Sequence, residues 1–154
     1  MDKEFPLGLR FSLLHRSFKK RMDAMLREEE LTGVQFGVLG ALVRLEEQGA
    51  GEVNQKDLEQ LTRLTHPTMT ELLKRLEKKE FIRCAPSERD RRFKCISSTE
   101  KARSLKHEAA ELEEATARWL CRGLSQAQLA QLTAITDVMV QNVLQDCEKG
   151  CDCP

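Results

Sequence analysis

Residues 87–94 read Ser-Glu-Arg-Asp-Arg-Arg-Phe-Lys, four cations and two carboxylates in eight positions. The chemistry open to such a stretch is electrostatic. Guanidinium groups bind anions, and a carboxylate two residues away can hold a guanidinium in one geometry. The whole chain of 154 residues offers no such hint, because 25 basic side chains balance 25 acidic ones. Divided by position, residues 1–52 carry a net charge of −1, residues 53–98 of +4 and residues 99–154 of −3. A basic middle in a neutral chain fits a nucleic-acid-binding surface or a solvated face of mixed charge.

Catalytic chemistry has no comparable foothold. His15, His66 and His107 fall in three different elements, the glycines form no phosphate loop, and no nucleophile-and-base or paired-carboxylate spacing appears. No enzyme, cofactor or metal site is expected. Cys84, Cys95 and Cys121 sit in apolar patterning, while Cys147, Cys151 and Cys153 crowd into the tail. That tail could hold zinc or copper(I) or form a disulfide. It has three ligands, no nearby histidine and a proline end, so the expectation is that it plays no role.

The elements that must position these residues follow from periodicity. Phe11, Leu14, Phe18, Met22 and Met25 mark a helix over about 9–27. Thr32 and Gln35 form a capping box for a second helix through Val38, Leu39, Leu42 and Leu45. Asn54 caps a short helix around Leu58 and Leu61. After a break at 62–64, Thr65 caps another, with Pro67 in its first turn and Met69, Leu72, Leu73 and Leu76 as its buried stripe. Two short helices so closely joined make a helix-turn-helix. Phe81–Cys84 and Phe93–Ile96 then read as the strands of a hairpin whose tip is the cationic stretch. A long helix starts near Thr99. Ser125 and Gln128 box the start of a last helix, whose broad apolar side (Leu129, Leu132, Ile135, Val138, Met139, Val143, Leu144) needs a partner, expected to be a second copy. No stretch is apolar enough to span a membrane, and the N-terminus lacks a signal-peptide core, so a cytoplasmic location is expected.

This order, and several local motifs, resemble the MarR-type winged-helix regulators. Leu31-Thr32-Gly33-Val34-Gln35-Phe36 is similar to the start of the family's second helix. Pro67-Thr68-Met69-Thr70 with Arg75-Leu76-Glu77-Lys78-Lys79 is similar to its recognition helix. Asp90-Arg91-Arg92 followed by Ser98-Thr99-Glu100-Lys101 resembles its wing and the following helix start, and Gly123-Leu124-Ser125 its last helix opening. Glu80, Ser98 and Ala102 stand where the family usually has Gly, Leu and Gly, so the recognition helix is expected to close through a non-glycine turn.

The resemblance implies a mainly α fold with a small β-hairpin wing. The chain would be one MarR-type domain over 1–154, with dimerisation helices at about 1–30 and 104–146 and a winged helix-turn-helix at about 31–103. The implied function is that of a homodimeric, sequence-specific regulator, a repressor binding a pseudo-palindromic operator in double-stranded DNA. Arg92 would enter the minor groove with Asp90 orienting it, and Arg89, Arg91 and Lys94 would meet phosphates. His66, Thr68, Thr70 and Lys74 would face the major groove. Asn54 and Gln55 would contact phosphate at a helix start. Glu71 could accept from cytosine or pair along the helix with Lys74 or Arg75, the pair being favoured.

Family members commonly release DNA when a small aromatic or amphipathic acid binds. By position, Ser12, His15, Arg16 and Phe36 are the pocket candidates. Thiol or metal sensing through the C-terminal cysteines is the alternative. The family's peroxide-sensing arrangement is missing, since the chain has no tyrosine and no cysteine before Cys84.

Overall fold

The computed structural model describes residues 5–88 and 91–148. The elements run α1 (Leu7–Glu28), α2 (Gly33–Glu47), α3 (Gln55–Thr62), α4 (His66–Lys78), β1 (Ile82–Pro86), β2 (Lys94–Ser98), α5 (Glu100–Leu120) and α6 (Gln126–Glu148). This is the expected mainly helical architecture with one hairpin. The chain forms two compact units, Met1–Glu114 and Ala115–Pro154, whose boundary falls inside α5. The winged segment lies wholly in the first.

Local chemistry starts the helices where the sequence predicts. Thr32 Oγ1 accepts from the Gln35 amide at 3.2 Å while Gln35 Oε1 accepts from the Thr32 N–H at 3.0 Å. Asn54 Oδ1 accepts from the N–H groups of Lys56 and Asp57, and Asp57 returns a carboxylate to the Asn54 N–H at 2.9 Å. The first box supplies acceptors to two backbone donors and the second to three. Thr65 departs from expectation. It occupies the cap position of α4, but its side chain makes no capping bond and meets the Thr68 hydroxyl at 2.9 Å instead.

The first unit's core gathers one stripe from each element. Leu26 of α1, Val38, Leu39 and Leu42 of α2, Leu58 of α3, Met69, Leu73 and Leu76 of α4, Ile82 and Ile96 of the hairpin, and Ala102 and Leu105 of α5 are all buried. α4 ends with Glu80 at φ 62°, the left-handed turn that the missing glycine foretells. The strands lie slightly later than the residue types suggest. Phe81 is not in the ladder: it is fully buried, its N–H donates to the Leu76 carbonyl, and Lys101 Nζ sits 4.2 Å from its ring centroid. Pairing is antiparallel, from Ile82 opposite Ser98 to Pro86 opposite Lys94.

In the second unit, Arg122 stacks 5.2 Å over the Trp119 ring, and Ser125 and Gln128 form the expected capping box. Ile135, Val138, Val140 and Val143 of α6 are exposed. Among the described residues, no helix is long and apolar enough to cross a membrane.

Candidate nucleic-acid interface

Two features of the first unit present polar and cationic groups to solvent: the start of α4 and the hairpin end. α4 is aimed by α3 across a turn that closes at Arg63, a non-glycine residue at φ 56°. Met69, Leu73 and Leu76 bury one face of α4. His66, Thr68 and Lys74 are thereby left exposed and Thr70 half-buried.

The polar groups between α3 and α4 are connected. Glu59 Oε1 lies 2.8 Å from His66 Nδ1 and accepts from Gln55 Nε2 at 2.8 Å. Gln55 Nε2 also donates to Thr70 Oγ1 at 2.8 Å, and Thr70 Oγ1 donates to the His66 carbonyl at 2.9 Å. Gln55 is thus half-buried inside the motif rather than held out at the helix start. Lys74 Nζ donates to Glu71 Oε1 at 3.1 Å, so Glu71 takes the helical pairing.

The hairpin is anchored at its root. Glu52, in the α2–α3 connection, accepts from the Ser87 hydroxyl and from the Glu88 N–H. The Ser87 N–H donates to the Phe93 carbonyl at 3.0 Å, and the Ile96 N–H donates to the Val53 carbonyl at 2.7 Å. At the other end of β2, Glu46 accepts from the Ser98 N–H at 2.8 Å, and Arg103 donates to the Ser98 carbonyl at 3.0 Å. Ser98, where an apolar residue is usual, is therefore a buried polar hub with its partners supplied. Arg91, Arg92 and Lys94 are exposed beyond this root. Arg89 and Asp90, assigned to the tip, lie outside the described residues.

Sequence reasoning missed Glu46, Glu52 and Glu59. Glu52 and Glu46 reach partners 35 and 52 positions away, a distance that no local pattern encodes. Glu59 had a weak signal, a carboxylate four residues after Gln55 on the same helix face.

Both hairpin thiols are held toward the protonated form. Burial, then the Glu77 carboxylate, pushes the Cys84 thiol up from 9.0 to about 11. Burial and Glu52 also raise Cys95. The folded state keeps the Cys84 proton more tightly than the unfolded chain, so this residue's contribution to stability is lost as pH rises from about 9 to about 11. Cys84 should alkylate about 100-fold more slowly at neutral pH than an ordinary thiol, because only thiolate reacts. Mass spectrometry of iodoacetamide-treated native protein checks this; labelling at the rate of the unfolded chain contradicts it. The side chain of Cys147, and Cys151 and Cys153, lie outside the described residues. Among the described residues, no three His, Cys, Asp or Glu side chains could share a metal ion.

Of the four pocket candidates, Arg16 lines a cleft. This cleft of about 620 Å³ at the α1–α2 junction is lined by Arg16, Lys19, Lys20, Arg27 and Asp23 together with Leu26 and Leu31. Ser12 and His15 are exposed on α1, and Phe36 packs against the core.

The sequence model of the MarR family matches residues 30–92, the span from the end of α1 to the hairpin tip. The S. aureus MepR–DNA complex has a TM-score of 0.74 at 24% identity, covering 88% of this chain and 98% of that one. S. aureus MepR bound to ethidium bromide gives 0.69 at 24% identity, covering 92% and 99%. The reduced form of MarR from E. coli gives 0.65 at 18% identity, covering 90% and 98%. Residues 30–92 thus match the MarR family in sequence, and the chain is similar in fold to the solved MepR and MarR structures.

Proposed function

We propose that the chain is a homodimeric, sequence-specific DNA-binding transcription regulator, a repressor released from its operator by a small amphipathic acid. The observation that carries the DNA reading is the pairing of an exposed polar start of α4 with a cationic hairpin, both on one unit and both fixed by buried or half-buried polar partners. A helix start of this kind enters a major groove, and a narrow hairpin end reaches the adjacent minor groove. The solved MepR–DNA complex shares the fold and supports the reading.

Dimerisation is supported by the apolar side chains that α1 and α6 leave exposed, Leu7, Phe11 and Leu14 on one and Ile135, Val138 and Val143 on the other. The α1–α2 cleft supports the effector: a lining that combines four cations with Leu26 and Leu31 suits a carboxylate on a hydrophobic body. The fold's occurrence with bound ethidium, a planar aromatic cation, supports small-molecule binding in a relative but not the charge of the molecule.

Arg92→Ala should weaken operator binding by about 1–3 kcal/mol, the range for one groove contact. Asp90→Ala should lose part of the same energy, and the double variant less than the sum, if the carboxylate orients the guanidinium. Strictly additive losses in a titration cycle would remove that pairing.

Fluorescence anisotropy of a labelled duplex across salt concentrations tests the reading as a whole. Contact with several phosphates must release counterions, so affinity should fall steeply and log-linearly with salt. Absence of binding, or a flat dependence, contradicts it.

A further inference from the structure

Resting on the DNA-binding reading, we propose that His66 is a specificity-determining residue that accepts a hydrogen bond from a base amine through Nε2. Glu59 is the positioning residue that fixes the ring's tautomer for this purpose.

Four acceptor-type atoms lie within 3.2 Å of Gln55 Nε2: Glu59 Oε1, His66 Nδ1, the His66 carbonyl and Thr70 Oγ1. An amide nitrogen has two hydrogens. The two shortest contacts, both 2.8 Å, go to Glu59 and Thr70. His66 Nδ1, at 3.1 Å, is left without a donor from Gln55. It faces Glu59 Oε1 at 2.8 Å, and a carboxylate oxygen can only accept. A bare Nδ1 lone pair at that distance would oppose the carboxylate's own, so Nδ1 carries the proton. In the neutral ring Nε2 is then the unprotonated nitrogen.

Burial makes the lock asymmetric. The Glu59 side chain is 19% exposed and the His66 side chain 74%. The proton-fixing edge of the ring is therefore turned into the motif while the ring as a whole stays open to solvent. Glu59 is the charged group hydrogen-bonded to the ring; Lys74, two turns along α4, is engaged by Glu71.

A fixed acceptor at the first residue of a recognition helix has limited uses. It repels a phosphate oxygen and the acceptor atoms of guanine and thymine. It suits the adenine N6 or cytosine N4 amine, the donors that the major groove displays. His66 thus would select A or C at one base of each half-site. Glu59→Gln reverses the logic: the amide can donate to Nδ1, which moves the ring proton to Nε2 and turns an acceptor into a donor.

Two measurements test this. Long-range ¹H–¹⁵N correlation spectra of the wild-type protein without DNA, with the ring neutral, should show His66 predominantly as the Nδ1–H tautomer. A predominant Nε2–H form, or the averaged pattern of a free imidazole, overturns the proposal. Competition binding with operator duplexes varied at each base should show about a tenfold preference for A or C at one position of the half-site. Glu59→Gln should abolish or invert that preference while its thermal midpoint stays near wild type. A Glu59→Gln protein that binds more weakly with unchanged base preference makes Glu59 merely structural and overturns the readout by His66. Failure of the wild-type chain to select any sequence would instead defeat the DNA-binding reading, and base readout with it.

Discussion

Phe81→Ala is expected to lower the unfolding free energy by about 3–5 kcal/mol, the range for truncating a fully buried aromatic. Phe81 stands at the corner where α4 turns into β1, and it has no exposed surface. Three features meet there. Its N–H closes the end of α4 on Leu76, its carbonyl accepts from both the N–H and the hydroxyl of Thr99, and its ring carries the Lys101 ammonium at 4.2 Å. The backbone bonds survive the substitution; the ring's packing and the cation–π contact do not. Domains of this kind are typically stable by about 5–15 kcal/mol, so the loss is a large share of the total. Urea denaturation should show a lower midpoint with unchanged slope, and Phe81→Leu should cost far less because volume is largely conserved. A loss below about 1.5 kcal/mol for the alanine variant would mean that this corner is not where α4 and the hairpin are joined.

Val138→Asp should dissociate the proposed dimer. Val138 is 62% exposed and lies among Ile135, Val140 and Val143 on a helix whose apolar side chains are left open to solvent. In a two-fold interface the substitution appears twice, and each carboxylate brought out of water into apolar surroundings costs several kcal/mol. A shift of about 3–5 kcal/mol corresponds to association weaker by about 150- to 4,000-fold. Sedimentation velocity at micromolar concentration should find the wild type dimeric and the variant monomeric. The helical signal of the variant should persist. A variant that remains dimeric would place the interface elsewhere.

Much of this architecture was legible because it is local. Thr32 with Gln35, Asn54 with its following turn, and Ser125 with Gln128 announce helix starts by residue type and spacing alone, and the buried stripe of α4 follows from its periodicity. The hairpin was legible as to existence but not register. Phe81 has a strand-forming side chain, yet the left-handed turn at Glu80 delivers it into the core, and the ladder begins one residue later. Thr65 has the right type for a cap and the right position, but its hydroxyl prefers Thr68. The α4 start was read as a set of exposed residues; its wiring through Gln55, Glu59 and His66 spans a turn and shows only in three dimensions. Glu52 and Glu46 were illegible for the same reason, since their partners are set by where the hairpin folds back.

One such chain, paired with its copy, is expected to read two half-sites with α4. Selection of full-length protein on a randomised duplex library tests it most directly. The expected outcome is enrichment of an inverted repeat whose half-site centres lie about one helical turn, 10–10.5 base pairs, apart. Recovery of no common sequence, or of a single unrepeated site bound by one chain, would contradict it.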